Sequence, residues 1–502
     1  MTHLHRLIAA FFMLVLAGTA SLAAPAVSLT PKIGPPTTAV TVSGTDFGAN
    51  AAIDVYFDTA HLCITFASGA GAASCMITVP KETQPQTHWL TMLQRNTGNG
   101  AQKPFTVRTD MAQFHGRDAR HNGNNPFENT LNVNNVGDLD TLWSKPIGRT
   151  GGSAVVAGGK IYVGSLAGKL NAFNSATGAA VAGFPVDVGA EIIYATPAVG
   201  AGRVFIGSDN GKLHAFDALT GATVAGFPKV LGGSIYSSPA LALGNVYVGC
   251  NDGFLYAFNA TTGVPVAGFP LNLTGLLYGS PTVIGKKVYI GSSSGQLYSF
   301  DALTGAAISG FPVVSGNAIY GTVAGSGLTG FFGSADAKLY GFRLADGAIP
   351  AGFPVPTSGS ISSSPAVAGG KVFAGSDGAG EISAWFTAGG LAWSQILGGS
   401  ADGSPMVANG VVYTGTQHRL FALSAATGAI LWSADATQEG FTSPLVADGI
   451  LYYPARDGNL YAFSVNGRAP ASRLAGGALG VRPALSALKP DYSLKAQRKP
   501  ED

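Results

Sequence analysis

The chain has 502 residues, of which 46% are hydrophobic, only 11% are charged and 71 are glycine. That length exceeds one ordinary core, and the glycine-rich, charge-poor balance suits many short strands and tight turns rather than a helical bundle. A net charge of +2, from 29 Lys+Arg against 27 Asp+Glu, supplies no field to attract nucleic acid or an anionic membrane, so neither is expected as a partner.

Residues 1–23 have the three parts of a secretory signal: His3, His5 and Arg6, an apolar run from Leu7 to Leu16, then small residues ending Ser21-Leu22-Ala23. Cleavage after Ala23 is expected, because the apolar run is shorter than the ~20 residues that span a bilayer. Every later apolar run is interrupted by Gly, Pro or a polar residue, so no membrane span is expected. The product should be exported, to the periplasm or the medium.

Residues 26–107 alternate apolar and polar positions around Gly, Pro and Asn turns, the pattern of a small β-sandwich. Cys63 and Cys75 flank two strand-like runs, Ile64–Phe66 and Met76–Val79, joined by Ala67–Ser74. A hairpin there sets the two cysteines opposite each other, and export permits a bridge. The stretch TTAVTVSGTDFGANAAIDVYFD resembles immunoglobulin-like domains of the IPT/TIG kind. Residues 108–138, with the Asn-rich HNGNNPFENTLNVNNV, read as a linker into the next unit.

Residues 139–467 are a repeat array. An apolar-aromatic run ending in Gly recurs at Gly164, Gly207, Gly249, Gly291, Gly333, Gly375 and Gly415, with Pro454 in the same slot, at spacings of 43, 42, 42, 42, 42, 40 and 39. Each copy holds four short strand candidates rich in Val, Tyr and Phe, which predicts an all-β fold: an eight-bladed β-propeller. A fourth-strand aromatic recurs at Trp143, Phe184, Phe227, Phe269, Phe311, Phe353, Trp393 and Trp432. This series begins before the first Gly and ends before the last, so the segment at Trp143 should complete the blade of Leu460–Phe463 in a Velcro-type closure that removes two sheet edges. Cys250 fills the slot of Ser208 and Ser292 and reads as a small buried residue, a reactive thiol being the other possibility. Residues 468–502, carrying seven Lys and Arg among Ala, Gly and Pro, read as a largely disordered basic tail.

The elements GKLHAFDALTG, GQLYSFDALTG and HRLFALSAATGAILW resemble the pyrroloquinoline quinone (PQQ) repeat family, over about Trp143 to Gly467. The resemblance implies a propeller used either by PQQ-dependent alcohol or sugar oxidoreductases or by non-catalytic proteins, among them a lipoprotein that assists outer-membrane barrel assembly. Departures are plain: five fourth-strand aromatics are Phe in Gly-Phe-Pro triplets where the family has Trp, and no lipobox cysteine is present. The oxidoreductases also add adjacent cysteines, Ca²⁺ ligands and often a haem domain. This chain has no adjacent cysteine pair, no Cys-x-x-Cys-His and no Asp-x-Asp-x-Asp-Gly loop. The acids expected near the axis, Glu191, Asp402 and Glu439, read equally as solvated loop residues. Eight scattered histidines show no metal-ligand spacing. No catalytic residue, metal or cofactor is therefore expected.

One constellation rises above scaffold. The first strands, which line the axial channel, align at Ser153, Thr196, Ser238, Ser280, Thr322, Ser364, Ser404 and Ser443, a hydroxyl in every copy. Two residues earlier stand Gly151, Tyr194, Tyr236, Tyr278, Tyr320, Ser362, Asp402 and Phe441. Period-two alternation puts both sets on one side of their strands. The four tyrosines, with Asp402 and Phe441 across from them, are either the rim of a ligand site or rings that plug the channel. A non-catalytic binding or assembly protein with a protein or glycan partner is the first reading, an oxidoreductase the second.

Overall fold

The computed structural model describes residues 23–189, 194–378, 380–435, 442–469, 482–490 and 494. The expected signal, apart from Ala23, together with Glu191, Glu439, Phe441 and most of the basic tail, lies outside the described residues. The described residues are strands and turns with only short 3-10 segments, and none of their helices is long and apolar enough to cross a membrane.

Two sheets form the N-terminal unit. One holds Ala26–Thr30, Ala39–Thr45 and Ala73–Thr78; the other holds, in spatial order, Ile33–Gly34, Gly100–Val107, Thr87–Gln94, Ala52–Phe57 and Ala60–Phe66. Alternation gives each sheet one apolar face, and Val40, Val42 and Ile77 meet Ile53, Val55, Met92 and Phe105 in the core between them. Cys63 and Cys75 are paired, but not by the expected hairpin: Cys63 lies on the five-stranded sheet and Cys75 on the three-stranded one, so the link crosses the core. The chain changes sheets between them because both runs have an inward face to bury. On the outer face, Asp54 is buried under a bidentate Arg95, at 3.0 and 2.6 Å. Residues 482–490 also cover this face, contrary to the expectation for that part of the tail. Leu488 packs on Tyr56 and Leu93, and Gln102 donates to the Pro483 carbonyl at 2.9 Å. Two leucines in a basic stretch find outward apolar side chains that the alternation leaves uncovered.

The rest is a β-propeller. Eight sheets follow, six of them built only from strands consecutive in sequence, such as Ala240–Ala242, Asn245–Gly249, Phe254–Asn259 and Leu271–Asn272, and a seventh, from Met406–Ala408 to Ile430–Asp435, with Asn124–Asn125 of the linker added along its innermost strand. The last sheet runs Leu445–Ala447, Ile450–Pro454 and Asn459–Val465, and its outer strand is Leu139–Pro146 from the start of the array. Trp143 is in register with Ala462 there, and its indole N–H donates to the Ser175 carbonyl at 3.2 Å. Where the fourth strand carries Trp it is six to eight residues long, as in Leu139–Pro146, Leu391–Ile396 and Ile430–Asp435. Where it carries Gly-Phe-Pro it shrinks to two, as in Val186–Asp187 and Lys229–Val230. The five Phe-Pro bonds are cis, and Pro has no N–H to extend the ladder. The Phe rings still reach the core, edge-on to the second strand: Phe227 lies 5.5 Å from Phe205 and Phe269 6.0 Å from Tyr247.

The Thr-Gly turns lock each sheet to its neighbour. Asp217 accepts the Leu219 and Thr220 N–H groups and the Thr220 hydroxyl. Gly221 has φ +71°, and a Cβ there would stand 2.3 Å from the Gly183 carbonyl oxygen. Both facts demand glycine.

At the axis the eight hydroxyls form a closed ring. Ser153 N–H donates to Thr196 Oγ1, Thr196 N–H to Ser238 Oγ, and so on through Ser280, Thr322, Ser364, Ser404 and Ser443, whose N–H returns to Ser153 Oγ. All eight bonds are between 2.9 and 3.2 Å. Innermost strands lack an inner neighbour, and the side chain next door supplies the acceptor their amides would miss.

Candidate functional site

The linker decides the shape of the channel. From Met111 it visits one innermost strand after another: Met111 bridges to Val156, Ala112 C=O accepts Val199 N–H, and Gln113 pairs through both amide atoms with Leu241. Ala119, Asn122 and Gly123 carbonyls then accept from Val283, Val367 and Val407. These contacts lie beyond the hydroxyl ring as seen from the tyrosines, so the linker floors the channel and leaves a blind well. His115 and His121 are buried in this floor. Burial drives both imidazoles toward neutrality, His115 down to about 4, and each ring bonds backbone carbonyls, so both are structural.

The well has a volume of about 230 Å³ and is lined by the hydroxyl ring, Phe114 from the floor, Gly151, Gly152, Ser362, Asp402 and the four tyrosines. Tyr194 meets Tyr236 edge-on at 5.0 Å, Tyr236 stacks on Tyr278 at 6.0 Å, and Tyr278 lies 5.8 Å from a tilted Tyr320. The rings touch in sequence yet keep access to solvent: Tyr194 is 38% exposed, Tyr320 42%, and the middle two are half-buried. Gly151 makes room for this arc, since a Cβ there would stand 2.3 Å from the Tyr194 ring.

Asp402 lines the same well, and its position follows from the ring of hydroxyls. Four steps in either direction separate Ser404 from Ser238, so Asp402, two residues before Ser404, stands across the axis from Tyr236. Burial first, and Asp377 beside it second, push its carboxyl up to about 7. Asp377 accepts from Ser400 Oγ at 3.2 Å and Ser362 Oγ at 3.5 Å. Phe441, the remaining member of the expected set, is outside the described residues.

Three members of the site escaped sequence reading: Phe114, Gly151 in its role as a gap, and Asp377. Asp377 had a readable signal. It directly follows the residue after the repeated Gly, the slot that holds Asp209 four copies earlier, and Asp209 contacts Tyr236. That slot docks beside the next rim residue through its backbone N–H, as Asp377 does on Ser360 and Ser293 on Leu276. Phe114 carried none, because the linker has no period.

A larger cavity, about 620 Å³, lies at the seam of the N-terminal unit, the linker and the propeller flank. Several of its polar groups are committed to holding the seam: Lys371 Nζ donates to Ala425 C=O and Asn129 Nδ2 to Thr83 C=O. Among the described residues no group of three or more His, Cys, Asp or Glu could hold a metal.

Comparison with known proteins agrees with the fold. BamB from Moraxella catarrhalis superposes at TM-score 0.56 with 20% identity, over 65% of this chain and 97% of that one. The quinohemoprotein alcohol dehydrogenase from Comamonas testosteroni does so at 0.59 with 17% identity, over 72% and 81%. The computationally designed Ika8 protein gives 0.54 with 15% identity, over 65% and 98%. Identities this low establish the fold and leave the activity open. No curated protein sequence matches the chain. Residues 132–350 and 388–471 match one protein family, and since these segments make up more than half of its length, the chain belongs to that family, described as outer membrane protein assembly factor BamB.

Proposed function

We propose that this chain is an exported, non-catalytic binding or assembly protein, periplasmic or secreted, in which an eight-bladed PQQ-type propeller presents the tyrosine-rimmed well to a protein or glycan partner. An immunoglobulin-like N-terminal domain of the IPT/TIG kind acts as its spacer. The observation that carries the reading is the arc of four partly exposed tyrosines around a blind, polar-lined well. Tyrosine offers a large flat face with a polar tip at low entropic cost, which suits a recognition surface. The eight-membered hydroxyl ring supports the blade number, and the two-sheet core of residues 26–107 supports the spacer.

The oxidoreductase reading is tested by the chemistry of the donors. PQQ is a tricarboxylate and needs cationic partners, whereas the one ionisable side chain described along the well, apart from the tyrosines, is Asp402, an acid. Asp402 is also the one carboxylate among the described lining residues, where a Ca²⁺ is held by several oxygen ligands. The described lining residues do not fit the cofactor.

Peptide and glycan arrays probed with the wild-type protein and a Tyr236→Ala/Tyr278→Ala variant test the proposal. Ligands retained by wild type and lost by the variant are expected. Retention of every ligand by the variant overturns the site.

A further inference from the structure

The well has a charge signature that narrows its ligand. Its rim offers four aromatic rings, whose faces carry the negative side of the ring quadrupole. Across the axis from Tyr236 stands a carboxyl group, Asp402, with a second, Asp377, behind it. No Lys, Arg or His is among the described residues lining the well. Arg149, two residues before Gly151, and Arg456, in the repeat slot that Asp377 fills in its own copy, are not part of the lining. A carboxylate or phosphate ligand would face Asp402 with no cation among the described lining residues to offset it. A neutral apolar ligand would displace water from the hydroxyls and the carboxyl of this lining without replacing its hydrogen bonds.

We propose that the well receives an organic cation, with Asp402 as its counter-ion and the rings of Tyr194, Tyr236, Tyr278 and Tyr320 as its aromatic wall, and that the cation is the Lys or Arg side chain of a protein partner. The inference rests on the reading of the well as a partner site. A volume of about 230 Å³ takes an ammonium or guanidinium head with a few waters, each occupying about 30 Å³. It does not take an oligosaccharide. A side chain reaching down the axis is the form in which a protein delivers such a head, and a well closed by Phe114 sets its depth.

The carboxyl pair couples this recognition to pH. Asp402 is held up to about 7 by burial and by Asp377, so below that value the free well carries a proton on the pair. An arriving cation favours the ionised form, and the proton leaves to solvent as the cation enters. The groups around Asp402 are Asp377 and Ser400 from the neighbouring segments and Tyr236 across the axis, while His418 packs beside Gly399 on the same sheet. Residues 436–441 lie outside the described structure.

The experiment uses the full mature chain and isothermal titration with four probes: Nα-acetyl-lysine methylamide, Nα-acetyl-arginine methylamide, Nα-acetyl-norleucine methylamide and choline. The lysine and arginine probes are expected to bind at pH 8 and the norleucine probe not to. Affinity should fall roughly tenfold from pH 8 to pH 6, the loss expected for a carboxyl of apparent pKa about 7 that must be ionised. Asp402→Asn should weaken binding roughly tenfold and abolish the pH dependence, and Tyr320→Ala, at an exposed ring, should weaken it roughly threefold or more while leaving the urea midpoint close to that of wild type. Equal binding of norleucine and lysine, or no effect of either variant, overturns the cation. Binding of choline alone assigns the well to small free cations and overturns the protein side chain. Array ligands that depend on Tyr236 and Tyr278 while no cation binds would sink this inference and leave the partner site standing.

Discussion

Replacing Trp143 with Ala attacks the closure of the ring at its buried centre. The indole packs 5.9 Å from Tyr452 and against Gly178, and donates to Ser175 C=O. That carbonyl also accepts the Tyr452 hydroxyl at 3.0 Å, so its loss of the indole leaves no orphaned acceptor. The cost is therefore that of the emptied volume, about 3–5 kcal/mol for a large aromatic. Trp393 is an internal control. It occupies the same slot in another sheet, 5.9 Å from Phe373, and donates to Ala425 C=O, which also accepts Lys371 Nζ. Trp393→Ala should cost a similar amount, but its strand is tethered to its sheet by a direct turn, whereas Leu139–Pro146 is held to Asn459–Val465 by the ladder alone. Urea unfolding followed by far-ultraviolet circular dichroism measures the shared cost. Limited proteolysis then separates the two, with new early cuts between residues 130 and 146 only in Trp143→Ala. A cost below about 1 kcal/mol, or the same early cuts in both variants, would refute the closure argument.

Non-reducing peptide mapping should recover Cys63 linked to Cys75, and replacing the pair with Ser should cost about 3 kcal/mol for a loop of this size. Cys250, buried and with its thiol pushed up to about 12 by desolvation, should resist alkylation until the chain unfolds. Asp448 anchors the linker by accepting the Thr109 N–H at 2.7 Å, and burial raises its carboxyl to about 6. Its proton is held more tightly in the folded state, so its contribution is largest below pH 4 and falls by about 3 kcal/mol as pH rises past 6. The urea midpoint of wild type should fall relative to that of Asp448→Asn as pH rises from about 4 to about 7; parallel curves, or a relative rise, contradict the assignment. Gly151→Ala should push the Tyr194 ring out of the arc and cost about 1–3 kcal/mol, read as a lower urea midpoint and weaker retention of array ligands. An unchanged midpoint and unchanged retention would show that the ring moves freely.

What was legible in the sequence is what repetition writes down. A Gly spaced at about 42 residues, an aromatic series offset by one copy, and aligned hydroxyls are local facts, and each blade folds on its own nearby contacts. The pairing of Leu139–Pro146 with Asn459–Val465 was readable because the offset leaves one fourth strand surplus and one missing. The tyrosines were readable as one column for the same reason. Tertiary structure decided everything that depends on a segment without period meeting one far away. The linker has no repeat to align, so that its carbonyls floor the channel and put Phe114 beneath the tyrosines follows only from the innermost strands needing partners. Cys63 and Cys75 looked like a hairpin because spacing cannot tell a ladder from a change of sheet; the need to bury both strands' apolar faces chose the latter. The acidity of Asp402 is likewise a property of its place. The same carboxyl in an exposed loop titrates in the ordinary range, and it is burial beside Asp377, across a ring closed by Ser443 and Ser153, that makes it a group able to answer to pH near neutrality.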